Sequence, residues 1–390
     1  MQTVYDNKKV CCGCTACKCI CPVQSINMIA DEEGFLYPDI NHEQCISCGL
    51  CKRICAFQNK NYTADSIRVP EVYAAKHKDD DVRKKSSSGG AFTAISDHIL
   101  LKNGVVYGAA YDESFRVVHK RAQTTKERDE LRGSKYVQSD LNNAFIDIKE
   151  DLTNDRIVLF TGTGCQAAGL ISYLKNAHVD TKKLITVDLI CHGVPSPNIF
   201  KDYIFYLEKK NRSKIKQYFF RSKVNGWGHT EEAVFENGRN DYTSRLSQAH
   251  KELFYSDLCL RPSCYNCKYA CIARPADITI ADYWGVEKYF PKFYDKLGVS
   301  AILINTNKGK EVFLESADCM EYIKSNINDC ASRQNNLHSP TPINPQRAEF
   351  WSDYLHHGFN YITKKYTHYG FIKRIRRLVI YILKRIRGLI

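Results

Sequence analysis

The spacing of its cysteines constrains this chain more than any other feature. Cys11, Cys14, Cys17 and Cys21 follow C-x2-C-x2-C-x3-C, with Pro22 next. Cys45, Cys48, Cys51 and Cys55 repeat that spacing, with Ala56 in the following position. Three cysteines on one tight loop reach three irons of a cubane, and the fourth has turned away and reaches the other cubane. The spacing therefore assigns Cys11, Cys14, Cys17 and Cys55 to one 4Fe-4S cluster and Cys45, Cys48, Cys51 and Cys21 to a second. Soft thiolates suit such iron. Cys12 and Cys19 fall outside the register and read as spectators.

This is the pattern of bacterial two-cluster ferredoxins. A pair of structural zinc knuckles is the bland alternative, but zinc sites use two Cys pairs rather than four Cys in this repeated register. Two clusters in one small fold imply a one-electron relay over a short path, with no substrate chemistry of its own. The chain holds 18 cysteines. In a cytosolic chain these are thiols, metal ligands or catalytic groups rather than disulfides.

A third group lies far downstream. Cys259, Cys264, Cys267 and Cys271 form C-x4-C-x2-C-x3-C. Cys165 sits in the turn Thr161–Gln166, and Cys191 follows the strand Leu184–Ile190. Loops at the carboxyl ends of strands are where α/β sheets place ligands. Six cysteines thus compete for four places in a third 4Fe-4S cluster. Cys264 and Cys267 are the safest, because a C-x2-C pair chelates locally. Spacing leaves the other two open, and a zinc knuckle or free thiols remain the alternative. Cys319 and Cys330 have no partner spacing.

Beyond the cysteines the chain reads as globular, with 44% hydrophobic residues and 25% charged. Its fold class is read as mixed α+β and α/β: an N-terminal ferredoxin-type domain over 1–58, a linker over 59–70 and an α/β domain over 71–325. An extended connector over 326–369 and a basic amphipathic helix over 370–390 complete it. In the α/β part, Val72–Ala75, Val105–Ala110, Arg156–Phe160 and Leu184–Ile190 read as strands. Ala91–Leu101 and Gln166–Leu174 read as helices. Three prolines mark Asn335–Pro345 as extended.

Several motifs suit anions. Ser86–Gly90 opens a helix, where small residues and free amides fit a phosphate, or act simply as an N-cap. Arg132-Gly-Ser-Lys-Tyr136 sets two cations and a hydroxyl beside a glycine. Gly162-x-Gly164-x-x-Ala167 matches the short dinucleotide fingerprint, and Asp188 lies where a ribose-binding acid belongs, but so short a pattern recurs by chance and a plain strand–turn–helix is the favoured reading. His192, beside Cys191, is the candidate catalytic proton donor, since His titrates near neutrality.

In order along the chain come Ser87-Ser-Gly-Gly90, Arg132-Gly-Ser-Lys-Tyr-Val-Gln-Ser139, the Gly-Thr-x-Cys-Gln turn at 162–166 and Cys191-His-Gly193. Leu260-Arg-Pro-Ser-Cys-Tyr-x-Cys267 and Asp277-Ile-Thr-Ile-Ala-Asp-Tyr-Trp-Gly285 follow. This set resembles the coenzyme F420 hydrogenase/dehydrogenase beta subunit family over about residues 72–320, with a ferredoxin module fused in front. The resemblance implies bound FAD and at least one 4Fe-4S cluster in the main domain. It makes Ser87, Ser88, Gly89, Gly90, Arg132, Lys135 and Tyr136 candidate FAD contacts. Cys165 and Cys191 join Cys264 and Cys267 as candidate ligands. It implies an iron–sulfur flavoprotein oxidoreductase that passes electrons between clusters, FAD and an unknown two-electron redox substrate. The alternative is an electron-transfer subunit serving a donor or acceptor protein. Some bacterial relatives accompany polysaccharide-building enzymes, which suggests such a setting by analogy. Gly164 stands where the family usually has Pro, and Ala281 where it usually has Gly.

The net charge of +13 has a local origin. Tyr354–Ile390 holds nine Lys and Arg and no acidic residue. Ile372, Ile375, Val379, Ile382, Ile386 and Leu389 recur at helical spacing, which suits a helix lying in the headgroup layer of an anionic membrane. Nucleic acid is not expected, because the basic residues alternate with Ile and Leu rather than with stacking aromatics. Met1–Val10 has no apolar core and no run is long enough to span a bilayer. The expected location is the cytoplasm, peripheral at the inner face of the cell membrane. Deleting Gly370–Ile390 is expected to release the protein into the soluble fraction on cell fractionation. An unchanged distribution would assign the segment to packing or to a protein partner.

Overall fold

The computed structural model describes residues 3–59 and 69–369. The helix expected over Gly370–Ile390, and most of the linker expected over Asn59–Pro70, lie outside the described residues.

The internal cysteine repeat is also a repeat of backbone conformation. Gly13 and Ser47, each two residues past the first Cys of its motif, are left-handed at φ 70° and 55°. So are Thr15 and Gly49, four past it, at 62° and 73°. Each loop then enters a short helix, Ala16–Ile20 or Leu50–Arg53. A hairpin of β1 (Ile26–Ala30) and β2 (Leu36–Ile40) lies between them, with Ile26 opposite Ile40. Non-glycine residues in this region cost roughly 1–2 kcal/mol each, so Ser47 and Thr15 are held there by their surroundings.

The main body is an eight-stranded mixed sheet flanked by a smaller one. Its strands in chain order are β3 (Glu71–His77), β4 (Val105–Tyr111), β5 (Val117–Ala122), β6 (Val158–Thr163) and β7 (Leu184–Leu189). A three-stranded sheet of β8 (Ile215–Phe219), β9 (Glu232–Phe235) and β10 (Asn240–Asp241) intervenes before β11 (Ile278–Asp282), β12 (Ser300–Ile304) and β13 (Met320–Ser325). The large sheet runs β13-β3-β12-β11-β7-β6-β4-β5. Its centre, β4-β6-β7-β11, is parallel, and the outer pairings are antiparallel.

Alternation along the central strands divides the core. Val105, Tyr107, Val158 and Phe160 face the helices Ala144–Thr153 and Gly164–Asn176, together with Cys12, Cys14, Ile54 and Phe57 of the N-terminal region. Val106, Leu159, Ile185 and Val187 face the opposite helix, Ala91–Leu101. Both faces are covered, as a parallel centre requires. The N-terminal region therefore shares a core with the sheet. Ser172 donates to Ile54 O at 2.6 Å and Tyr269 to Ala56 O at 3.0 Å.

Two expectations are corrected. Thr161–Gly164 is not a free turn: β6 runs to Thr163, where a capping box with Gln166 starts the helix Gly164–Asn176. Residues 326–369 are not an extended connector throughout. They hold the helices Ile327–Ala331 and Arg347–Tyr366, the latter kinked at Gly358. Phe350, Trp351, Phe359 and Ile362 of that helix are buried against Pro197–Asn211 and the smaller sheet. Their helical spacing is an amphipathic signal that the nearby prolines obscured.

Gly89 marks the tightest backbone approach in the Ser86–Gly90 turn. A Cβ there would lie 2.5 Å from Ala75 O and 2.7 Å from Ser300 N. Both atoms belong to paired strands and cannot give way. Gly89→Ala is expected to cost about 1–3 kcal/mol through overpacking, read as a lower urea midpoint with an unchanged slope.

Candidate functional site

The parallel centre sets β6 and β7 side by side, with Thr163 opposite Leu189. Both strands end at the same edge, so Cys165 in the helix that follows β6 and Cys191 just beyond β7 come together. The 3-10 turn Pro262–Asn266 brings Cys264, and Cys267 follows it. Cys165, Cys191, Cys264 and Cys267 line one cleft of about 600 Å³, partly open to solvent. Val194 N–H donates to Cys264 Sγ at 3.4 Å, and Thr163 Oγ1 lies 3.2 Å from Cys165 Sγ. The other two contenders turn elsewhere. Cys259 is wholly buried with its thiol toward Leu253 O, and the Cys271 thiol bonds to Lys268 O and Ala273 O.

Burial dominates the chemistry of this cleft. It pushes the Cys191 thiol up to about 12, aided by Cys165 and Cys267, and Cys267 up to about 11. Cys264 is raised for the same reason. A hydrogen bond from Cys12 instead holds Cys165 down at about 7 against its burial. Thiols crowded in this way resist ionising alone, and a cationic group bound among them removes the penalty and the protons together. The donor set fits iron–sulfur iron.

The N-terminal cysteines form two further groups. Cys21, Cys45, Cys48 and Cys51 line a cleft of about 330 Å³ with Pro22, Ile26 and Ile40. Cys11, Cys14, Cys17 and Cys55 are mutual neighbours. Burial raises Cys17 and Cys11, and the other thiols of the group raise each further. Gln58 donates to Cys55 Sγ at 3.3 Å. Cys12, set aside by its register, lies within hydrogen-bond reach of both Cys14 and Cys165 and so touches two groups. No signal in its own motif marks this, because one partner is more than 150 residues away. Among the described residues no three His, Cys, Asp or Glu side chains converge where one metal ion would sit.

The dinucleotide reading fails on Asp188. That carboxylate is wholly buried, pairs with Arg274 at 2.9 Å and accepts from Thr279 Oγ1 at 2.6 Å. It has no capacity left for a ribose.

A second site stands beside the first, at the carboxyl end of β11. Asp282 accepts from Arg221 at 2.7 Å and from Trp227 Nε1 at 2.6 Å, and Trp227 stacks on Trp284 at 4.8 Å. Arg221 also donates to Tyr136 Oη at 3.0 Å and to Ser87 O at 3.3 Å. Of the candidate FAD contacts, Ser87 and Tyr136 gather here, while the Lys135 ammonium donates to Glu130 O and Arg132 O and lies 5.8 Å from the centre of the Tyr111 ring. The Ser87 hydroxyl accepts from Ser134 N–H and the Ser88 hydroxyl donates to Val299 O. Gly89 N–H donates to the Ser300 hydroxyl, and Gly90 caps the helix Ala91–Leu101 at φ 95°. Arg132 pairs with Asp129 at 2.9 Å. Lys135 and Lys223 differ from it. Each Nζ donates only to backbone carbonyls, and among the described residues neither has a carboxylate within ion-pair distance. Burial lowers Lys135 to about 7 and Lys223 to about 8. Lys223, which among the described residues has no ion-pair partner within reach and donates to Ser87 O beside Arg221, fits an anionic phosphate of a flavin dinucleotide.

His192 connects the sites. It lines the cysteine cleft, and its Nε2 lies 2.6 Å from Asp257 Oδ1. Its ring meets Phe254 at 5.0 Å, and Phe254 meets Tyr136 at 4.9 Å. His229 stacks on Tyr136 at 4.7 Å, completing an aromatic layer from the cleft to the second site.

Comparison with known proteins identifies the family. The family described as coenzyme F420 hydrogenase/dehydrogenase, beta subunit N-term, matches residues 72–145, and the C terminus of the same subunit matches 155–328. The chain belongs to the coenzyme F420 hydrogenase/dehydrogenase beta subunit family, a family of oxidoreductase subunits. No curated protein matches it. Among solved structures it is similar to a chain of the F420-reducing NiFe hydrogenase complex from Methanosarcina barkeri, at 18% identity and a TM-score of 0.46. That match covers 78% of this chain and 92% of the other. No helix among the described residues is long and apolar enough to cross a membrane.

Behind the aromatic layer Glu231 is wholly buried. Burial pushes its carboxyl up, but His250 at 3.0 Å and His229 at 3.6 Å outweigh that and hold it at about 2. Because this lies below the ordinary 4.5, the ionised form stabilises the fold. The contribution is complete above about pH 4.5 and is lost as pH falls toward about 2. Glu231→Gln is expected to cost on the order of 3 kcal/mol at neutral pH and to flatten acid unfolding in that window, measured by urea titration at several pH values.

Proposed function

We propose that this chain is an iron–sulfur flavoprotein subunit that carries electrons between a partner protein and a two-electron substrate. Cys21, Cys45, Cys48 and Cys51 would hold one 4Fe-4S cluster in a ferredoxin-type module. Cys11, Cys14, Cys17 and Cys55 would hold a second, and Cys165, Cys191, Cys264 and Cys267 a third. One observation carries the reading: the three cysteine groups pack in series, Cys17 with Cys21, Cys45 and Cys51 around one small apolar cluster, and Cys12, Cys14 and Cys55 with Cys165 and Cys267 around the large core. Exposed Cys48 and Ile46 at the rim of the outermost cleft give a partner protein its approach.

FAD would lie against Lys135, Lys223, Tyr136 and Arg221. When bound, it supplies the exchange between single electrons and electron pairs. The protein's own part is electrostatic and positional. Lys135 and Lys223, whose Nζ atoms donate only to backbone carbonyls, would gain contact with phosphate. Arg221, locked by Asp282, fixes Tyr136 and the backbone of Ser87. The tie to Asp257 commits Nε2 of His192, so a proton exchanged by this residue moves at Nδ1. The basic tail would hold the assembly at an anionic membrane surface.

Purified without oxygen, the chain is expected to contain about twelve irons, from three cubanes of four, and one FAD. Cys264→Ser is expected to remove about four irons and leave about eight, read by iron analysis and visible absorption. Stoichiometric zinc with no flavin would overturn the proposal.

A further inference from the structure

Arg261 is wholly buried between the first cysteine loop and the cleft. Its Nε donates to Cys11 O at 2.8 Å, Nη1 to Gln138 Oε1 at 2.8 Å and Nη2 to Leu36 O at 2.9 Å. Nη2 also lies 3.7 Å from Cys11 Sγ. The guanidinium is 4.2 Å from the centre of the Tyr37 ring. Gln138 returns to the same loop by donating to Cys12 O at 3.0 Å. Gly13 makes room for this approach, since a Cβ there would sit 2.9 Å from Nη1. From the other side, Arg261 precedes the turn carrying Cys264 and lines the cleft.

The other deeply buried arginines hold carboxylates. Arg128 pairs with Asp97 at 2.7 Å, Arg221 with Asp282 at 2.7 Å and Arg274 with Asp188 at 2.9 Å. Arg261 has none within ion-pair distance among the described residues. A buried charge without a counter-charge is strongly unfavourable, so its partner here must be negative charge on the cysteine groups themselves. Such a cation favours the more negative, reduced state of whatever the adjacent thiolates hold, and its hold weakens with distance.

We propose that Arg261 is a positioning residue that sets the order in which these groups accept an electron, raising the reduction potential at Cys11, Cys14, Cys17 and Cys55 relative to the cleft. The step it biases is a single electron lost by one cluster and gained by its neighbour, with no bond made and no proton moved. The inference rests on the iron–sulfur reading above.

The test is a redox titration of the full chain under anaerobic conditions, monitored by electron paramagnetic resonance. Arg261→Gln is expected to move one cluster's midpoint to more negative potential by a tenfold or larger change in its equilibrium, about 59 mV for one electron. Arg261→Lys is expected to keep most of the wild-type value. Gln138→Glu, which sets a carboxylate against Nη1 while retaining the arginine, is expected to reproduce the negative shift and decides the matter if Arg261→Gln fails to fold. The shift should persist in a Cys264→Ser background, where the cleft group is absent. Unmoved midpoints in iron-replete variants, or equal shifts in Arg261→Lys and Arg261→Gln, would overturn the role of the charge. A wild-type chain without iron would instead overturn the reading on which it stands, and this inference with it.

Discussion

The molecule depends on one close approach, that of the first cysteine loop to the helix Gly164–Asn176. A Cβ on Gly169 would lie 2.7 Å from Cys14 Sγ, so the loop reaches the helix only because that position has no side chain. The same helix begins with Cys165 in its first turn. Docking the loop therefore sets its register against the cleft, and it buries Cys14 and Cys12 with Phe145, Leu170 and Tyr173 in one core. On the proposed reading, this packing is what keeps a local relay in contact with a site built by the large sheet.

Around that contact the fold spends hydrogen bonds on holding the N-terminal region from several directions. Arg261 and Gln138 grip the backbone of Cys11 and Cys12, Ser172 holds Ile54, and Tyr269 holds Ala56. Arg347, from the long helix near the C-terminal end, pairs with Glu33 at the hairpin turn. These anchors come from four separate parts of the chain. Carbonyls buried at such a junction must be paired, and side chains do it where no strand is available. A region tied in this way moves with the sheet and not independently of it, which suits a short and constant separation between redox groups.

What was legible in the sequence divides by range. The N-terminal groupings follow from spacing because their geometry is local, and the repeat of left-handed residues at 13 and 47 and at 15 and 49 carries it into the backbone. Cys264 and Cys267 were legible for the same reason. Cys165 and Cys191 were not, since only the parallel register of β6 and β7 brings them together; the motif resemblance named them where spacing stopped. The plain strand–turn–helix reading at Gly162–Ala167 holds, but the partner that occupies Asp188, Arg274, lies 86 residues onward, beyond the reach of any local pattern. The helix Arg347–Tyr366 was hidden behind the prolines at 340, 342 and 345. Cys12 gave no signal, and Arg261, although it stands in the Leu260–Cys267 motif, gave no hint of its role, because what each does depends on what folds against it.

The distribution of buried positive charge ties these observations together. Burying an ion is costly, and most buried cations here are neutralised at once: Arg128 by Asp97, Arg274 by Asp188 and Arg221 by Asp282. Arg261 and Lys223 have no carboxylate within ion-pair distance among the described residues, and neither do half-buried Lys135 and Lys251. Arg261 faces the cysteine groups, while Lys223 donates to Ser87 O at the second site, across the aromatic layer of His192, Phe254 and Tyr136. Among the described residues, Arg261 and Lys223 thus stand at the two sites with no carboxylate within ion-pair distance. On the proposed reading, iron–sulfur thiolates at the first site and a dinucleotide phosphate at the second would supply the missing negative charge.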